Sequence, residues 1–285
     1  MPLKPAGQLV RSAAAEGTGI GAFNVLHLET AEALAAAAGR AGLPVILQIS
    51  QNCVDYHGNL EPIAKACLAL GEASEVPVAV HLDHAEREDL ARHAIDLGIA
   101  SVMFDGSRLP YRENVDATSR VVRYAHAAGA AVEAELGEVG GKNGAHAPGA
   151  RTDPAEATRF VGETGVDSLA VAVGSSHAMT ERRATLDLGL IEALHRSVQV
   201  PLVLHGSSGV PDDGIVSAIR AGLTKINVST HLNGFFTRSL RSYLDAHPDT
   251  VDSRRYIRAG RDTLASEAER LIRLFRSASR DSQTE

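Results

Sequence analysis

Three features are missing from this chain of 285 residues. No apolar run approaches the roughly 20 residues that span a bilayer, and the opening MPLKPAGQLV lacks the apolar core of a signal peptide. There is no excess of positive charge either, because the formal net charge is -7. We therefore expect a cytoplasmic protein that binds neither membrane nor nucleic acid.

Cysteine and lysine are scarce. The two cysteines, Cys53 and Cys67, stand in neither a metal-ligand nor a C-x-x-C spacing, so we expect reduced, structural thiols. Lysine supplies few of the 28 basic residues. Lys225 is the only lysine on a predicted strand, and it begins that strand.

Short β-branched runs alternate with helix-like segments along the whole chain. The eight candidate strands cover 18–25, 44–50, 77–84, 101–107, 131–137, 168–174, 201–207 and 225–230. Helical patterns lie between them, for example over 29–42, with Gly42 as a plausible C-terminal cap. Strand followed by helix, eight times over, predicts an α/β protein of the (β/α)8, or TIM barrel, class.

The chain continues well beyond the eighth predicted strand. Residues 232–276 are predicted to form a barrel-closing helix and a C-terminal helical extension with a role in dimer contact, and 277–285 a disordered tail. We assign 1–285 to a single domain. The Gly- and Pro-rich segment 137–154 after strand five is either a mobile lid or a solvated surface loop.

Polar residues gather where the predicted strands end. In a (β/α)8 barrel that rim carries the active site, whereas a stable barrel core needs only Val, Ile, Leu and Ala. The rim positions are Asn24, Ser50, Asp83, His84, Asp105, Glu135, His177, His205, Gly206, Asn227 and Ser229. This pattern favours an enzyme, with Asn24 and Ser50 as candidate substrate-binding residues.

Three histidines are predicted to meet at this rim. His84, His177 and His205 follow strands three, six and seven, whereas His81 points to the opposite face of its strand and is expected to be a core residue. Each of the three alone could be an ordinary buried histidine. Together they predict a catalytic zinc site with three protein ligands and room for substrate.

Small and hydroxyl residues follow strands seven and eight. HGSSGVPDD (205–213) and NVST (227–230) offer hydroxyls and exposed backbone N–H groups. Because these loops form the usual phosphate cradle of the fold, they predict a site for phosphate or a similar anion.

Seven motifs, in the same order along the chain, resemble those of the class II, metal-dependent ketose-bisphosphate aldolases, which include the fructose- and tagatose-bisphosphate enzymes of carbohydrate metabolism. They are AFNV (22–25), HLDHA (81–85), SVMFDGSRLPYRENV (101–115), EAELGEVGG (133–141), VGSSH (173–177), LVLHGSSGVPDD (202–213) and KINVST (225–230). The resemblance runs from about residue 3 to about residue 265.

The resemblance implies a role for each matching residue. It implies one zinc ion, or another divalent ion, on the three histidines, Asp83 as the acid/base at the aldehyde oxygen, and Glu135 with Asp105 near a second or transient metal position. It also implies a monovalent cation, a homodimer or homotetramer, and a place in pathways such as glycolysis. Dihydroxyacetone phosphate is expected on Gly206, Ser207, Ser208, Asn227, Ser229 and Thr230.

The chain departs from the family pattern at several positions. Where ELGxxGG is usually followed by acidic residues, one of them the base that moves the enediol proton, this chain has Lys142, Asn143 and Gly144. Glu138 or His146 could replace that base. The other departures are Ala178 for a glycine, Ser207 within HGSSG, and His231 after NVST. These departures indicate that the substrate is a less common ketose phosphate or a non-phosphorylated ketose.

The residue types also suit the chemistry of an aldolase. Cleaving a carbon–carbon bond beside a ketone leaves an enediolate, whose charge a metal stabilises; the Schiff-base route is disfavoured because Lys225 lies at the wrong end of its strand. Arg258 or Arg261 could bind a distal phosphate. A metal hydrolase and a catalytically silent sugar-phosphate-binding barrel remain alternatives.

Overall fold

The computed structural model describes residues 2–136 and 151–279. Within these ranges eight parallel strands form a closed barrel in sequence order, with the last paired to the first. The strands are β1 Ile20–Asn24, β2 Val45–Ser50, β3 Val78–Ala85, β4 Ser101–Phe104, β5 Ala131–Leu136, β6 Ser168–Val171, β7 Leu202–Leu204 and β8 Leu223–Val228. The predicted (β/α)8 barrel is confirmed.

Helices connect the strands and cover the outside of the barrel. They are α1 Ala6–Ala15, α2 Leu28–Ala41, α3 Gln51–His57, α4 Glu61–Ala73, α5 Glu88–Asp96, α6 Tyr111–Ala127, α7 Pro154–Thr164, α8 Leu188–Ser197, α9 Asp212–Ala221, α10 Thr230–Ala246 and α11 Ser253–Ser277. A short 3-10 turn covers Ser207–Gly209. No helix in the described ranges is long and apolar enough to cross a membrane.

Two helices and several strand ends differ from the sequence-based expectation, since β4 and β7 end at Phe104 and Leu204 and not at 107 and 207. Helices α1 and α3 were not predicted. Strand β6 ends at Val171, although its apolar pattern continues to Val173, and the chain then bends at Gly174, which has a φ of 118°. His177 therefore lies in the segment after the strand and not at its end.

Helix α1 closes the N-terminal mouth of the barrel. Its apolar residues Ala6, Leu9, Val10 and Ala13 form one cluster with the inward-facing Ile20, Ala22, Ile46 and Ala79. Above this plug the interior is polar, since His81, Glu133 and Lys225 are 1%, 2% and 1% exposed. Such residues are rarely buried without partners, so the layer indicates a specific arrangement of charges below the rim.

The C-terminal helices attach to the side of the barrel next to β1. The ring of Phe275 in α11 stacks on Phe23 of β1 with 6.4 Å between centroids, and Gly19 N–H donates to the Phe275 carbonyl at 3.1 Å. The predicted helical extension is thus two helices, of which α11 continues to Ser277. Residues 280–285 of the predicted tail lie outside the described residues.

Candidate active site

Four side chains from four parts of the barrel converge at the C-terminal rim. His84, Glu135, His177 and His205 each offer one ligand atom, and these atoms all lie within 4.8 Å of one another. His177 is half-buried and the other three are buried. The structure therefore brings the predicted histidine trio together and adds Glu135 to it.

The donor set suits a divalent metal ion. Three imidazoles and one carboxylate are typical ligands of zinc and of other first-row divalent ions. Because these four ligand atoms already lie close together in the folded chain, the site is pre-formed. We call these four residues the donor cluster.

Asp105 lies next to His84 and outside the donor cluster. The Nδ1 atom of His84 is 2.8 Å from Asp105 Oδ2, and the Ser107 hydroxyl donates to Asp105 Oδ1 at 2.6 Å. A carboxylate in this position fixes the tautomer and ring plane of a metal-binding histidine. Sequence reasoning paired Asp105 with Glu135 near a second metal position, whereas here Glu135 lies within the donor cluster and Asp105 contacts His84.

His205 stands between two glutamates of β5. Its Nε2 lies 3.0 Å from Glu133 Oε1, and its Nδ1 lies 3.1 Å from Glu135 Oε2. Burial lowers the pKa of His205, but the hydrogen bonds and charges of the two carboxylates outweigh burial and raise it to about 9. Glu133 in turn pairs with Lys225 Nζ at 2.9 Å. A buried chain of charges therefore reaches the donor cluster from below.

Asp83 lies beside the donor cluster, held by two amides. Asn227 Nδ2 donates to Asp83 Oδ1 at 3.2 Å, and Gln48 Nε2 donates to Asp83 Oδ2 at 3.4 Å. Burial raises the pKa of Asp83, yet electrostatic interactions with its neighbours, chiefly His84, outweigh burial and the pKa is lowered. Asp83 is thus an ionised carboxylate that can accept a proton.

A cavity of about 330 Å³ opens above these residues. Its lining contains most of the predicted site residues: Asn24, Ser50, Asp83, His84, His177, Gly206, Ser208, Asn227, Ser229 and Thr230. Sequence reasoning missed Leu26, Gln48, Gln51, Asn52 and Glu86 in that lining.

The segment after β7 requires glycine at its first position. Gly206 has a φ of 66°, and a Cβ there would lie 2.6 Å from the carbonyl carbon of Ser176. The next hydroxyl, on Ser207, is buried and donates to the carbonyl oxygen of Asn227. Ser207 therefore joins β7 to β8, and its side chain does not line the cavity. Ser208, which does, accepts the His231 N–H at 3.1 Å.

His231 forms a hydrogen bond that sequence reasoning did not anticipate. Its Nε2 lies 2.7 Å from Oε1 of Glu267 on α11, and Arg270 bonds both Glu267 and Asp212. Burial raises the pKa of Glu267, but hydrogen bonds from Arg270 and His231 lower it to about 2. This network anchors the first turn of α10, where the cavity ends.

The remaining predicted residues are not brought to the cavity. Nη1 of Arg261 lies 3.6 Å from Glu32 Oε2, and its Nε lies 3.3 Å from Asp262 Oδ1. Arg258 is exposed on α11. Neither lines the cavity, because helix α11 runs along the outside of the barrel. Glu138 and His146 lie outside the described residues.

Comparison with known proteins agrees with this geometry. The family model described as "Fructose-bisphosphate aldolase class-II" matches residues 4–280. The YdjI aldolase from Escherichia coli K12 is 29% identical, with a TM-score of 0.82 over 99% of this chain and 100% of that one. Fructose-bisphosphate aldolase from Campylobacter jejuni, at 23% identity and a TM-score of 0.81 over 98% and 96%, supports the fold alone. The chain belongs to the class II fructose-bisphosphate aldolase family and is an enzyme of the aldolase type.

Proposed function

We propose that this aldolase reversibly cleaves a ketose phosphate to dihydroxyacetone phosphate and an aldehyde. The observation that carries the proposal is the position of Asp83, an ionised carboxylate 4.0 Å from His84 Nε2 in a cavity that ends at the loops after β7 and β8. Proton transfer, charge stabilisation and phosphate binding are thereby available around one cavity.

The donor cluster would hold the metal, which we propose to be zinc. When bound, a divalent ion supplies a Lewis acid that stabilises the negative charge developing beside the ketone. Asp105 and Glu133 keep the rings of His84 and His205 in place for this task.

Asp83 is proposed to move the proton on the aldehyde oxygen. In the cleavage direction it takes the proton of the C4 hydroxyl, and in condensation it returns that proton to the new alkoxide. Asn227 and Gln48 hold its carboxylate, which limits the movement needed for the transfer.

The phosphate is proposed to bind between the loop after β7 and the first turn of α10. Gly206 and Ser208 lie on one side of this part of the cavity, and Ser229 and Thr230 on the other. The positive end of the α10 helix dipole favours an anion at this first turn. A monovalent cation near the phosphate, a cytoplasmic location, and a homodimer or homotetramer are parts of the same proposal.

The proton of the enediol needs a further base, for which we propose Glu138 or His146. Both belong to the segment after β5 that lies outside the described residues. The proposal fails if the E138Q and H146N variants both keep full exchange of the C3 proton of dihydroxyacetone phosphate with solvent.

The reaction can be tested with the metal-loaded enzyme, dihydroxyacetone phosphate and a panel of aldehydes that includes the partners of the fructose and tagatose series. We expect ketose phosphate products that disappear after chelation and return with zinc. The D83N variant should retain metal and lose about 100-fold or more in condensation rate. Hydrolysis without aldol products would favour a metal hydrolase, which membership of the aldolase family disfavours.

A further inference from the structure

We propose that the cavity accepts an uncharged polyhydroxy aldehyde in preference to a phosphorylated one, with Glu86 as the residue that determines this choice. The inference rests on the aldol reaction proposed above and names its acceptor substrate. It follows from the charges and hydrogen-bonding groups on the side of the cavity away from the phosphate loops.

The two ends of the cavity come from different parts of the barrel. The phosphate end is built after β7 and β8, whereas the acceptor end is formed by Gln51 and Asn52 after β2 and by Glu86 after β3. Asp83, His84 and His177 line the same cavity. An aldehyde that reacts beside Asp83 would therefore extend its remaining carbons toward Glu86.

The acceptor end is unfavourable for a second phosphate. Asp83 and Glu86 contribute two carboxylates to the cavity, and among the residues that the structure describes no lysine or arginine lines it. Arg108, in the loop after β4, has its Nη1 atom 3.7 Å from Glu86 Oε1. The positive charge of Arg108 is therefore already paired with the Glu86 carboxylate. A phosphate group placed here would have to compete with the Glu86 carboxylate for Arg108 and would meet no basic side chain among the described lining residues, which disfavours a charged partner over a neutral one.

The same groups suit the hydroxyls of a neutral sugar aldehyde. The Glu86 N–H donates to Gln51 Oε1 at 2.9 Å, which fixes both residues at the end of the cavity. The Glu86 carboxylate can accept hydrogen bonds from hydroxyls, and the amide groups of Gln51 and Asn52 can donate to them. A phosphate dianion has no proton to donate to the Glu86 carboxylate, whereas a hydroxyl has one. This group of side chains therefore favours hydroxyls over a phosphate.

The test compares two acceptors of equal carbon length on the metal-loaded enzyme. Condensation with dihydroxyacetone phosphate is followed for racemic glyceraldehyde and for racemic glyceraldehyde 3-phosphate. We expect kcat/KM to favour the neutral aldehyde by about 10-fold or more. In the E86Q variant, which removes the carboxylate and releases Arg108, this ratio should shift toward the phosphorylated aldehyde by roughly 10-fold.

The matched control is E75Q. Glu75 is exposed in the loop before β3, at the opposite end of that strand from Glu86, so its substitution removes the same charge far from the cavity. The ratio should not change in this variant. A wild-type preference for glyceraldehyde 3-phosphate, or an unchanged ratio in E86Q, overturns the inference.

Failure of the inference can be distinguished from failure of the proposed function. Exchange of the C3 proton of dihydroxyacetone phosphate with solvent needs no aldehyde. Exchange without condensation of either aldehyde overturns the acceptor assignment alone. Absence of both exchange and condensation overturns the proposed reaction, and the acceptor assignment with it.

Discussion

Nζ of Lys225 lies 2.9 Å from Oε2 of Glu133, and the other oxygen of that carboxylate lies 3.0 Å from Nε2 of His205. Lysine and glutamate are 1% and 2% exposed. Burial raises the pKa of Glu133, but the charge of Lys225, together with the hydrogen bond from His205 and the charge of His81, outweighs burial and holds that pKa well below its usual range. The ion pair keeps a carboxylate ionised against one member of the donor cluster.

Replacing Lys225 by methionine should weaken metal binding. Without the ammonium, the buried carboxylate of Glu133 is favoured in its protonated form and holds His205 less firmly. We expect zinc affinity to fall by about 10-fold or more, measured by competition with a chromogenic chelator. The K65M variant, at an exposed lysine on α4, is the control and should bind zinc like the wild type.

The K225M/E133Q double variant separates metal binding from folding. Removing only one partner of a buried ion pair destabilises a protein, whereas removing both costs less. The double variant should therefore recover thermal stability relative to K225M and still bind zinc weakly. Wild-type zinc affinity in a folded K225M protein would contradict the role given to this pair.

Asp105 should matter for metal affinity without belonging to the donor cluster. The D105N variant keeps the shape of the side chain but loses the charge next to His84 Nδ1. We expect a loss of about 10- to 100-fold in zinc affinity in the same competition assay. D116N, on the exposed face of α6, provides the control. Equal affinities of the two variants would exclude an orienting role.

Ala178 should be a source of backbone strain. It has a φ of 58°, in the left-handed region that favours glycine, and it lines the cavity directly after His177. The A178G variant should raise the free energy of unfolding by roughly 0.5–1 kcal/mol in urea titrations. A36G, at an exposed position within α2, should lower it by about 1 kcal/mol. Destabilisation of A178G similar to that of A36G would contradict the strain.

The hydrogen bonds of Glu267 with Arg270 and His231 should make the free energy of unfolding depend on pH. Its pKa is lowered to about 2 in the folded chain, so its contribution is full above the ordinary value near 4.5 and is lost as the pH falls toward 2. The full contribution is about 3 kcal/mol at most. The stability advantage of the wild type over E267Q should shrink by roughly 1 kcal/mol from pH 7 to pH 4 in urea unfolding. The same difference in unfolding free energy between wild type and E267Q at both pH values would argue against a lowered pKa of Glu267.

Strand periodicity was sufficient to predict the barrel and much of its rim. Alternation along AVEAEL places Glu133 on the same face as Glu135, so that signal could also have identified the partner of His205. The sequence places His177 at the rim, but it does not show where β6 ends, because the apolar pattern continues to Val173 after the strand has ended at Val171.

Contacts between distant elements could not be predicted from one sequence. His231 and Glu267 are 36 residues apart on different helices, and although Glu267 shares a helix face with Leu264 and Leu271, nothing in the sequence pairs it with His231. The Ser207 hydroxyl resembled a phosphate ligand by its place in HGSSG, but the close approach of β8 engages it with the carbonyl oxygen of Asn227. Tertiary packing, and not local spacing, determines both contacts.

The most direct test of the account is exchange of the C3 proton of dihydroxyacetone phosphate with deuterated water, followed by NMR. The zinc-loaded enzyme should exchange this proton, and exchange should stop after chelation and resume when zinc is restored. H84A and H205A should show no exchange at zinc concentrations that saturate the wild type. Exchange that survives chelation, or that persists in these variants, would contradict a metal-dependent aldolase centred on this cluster.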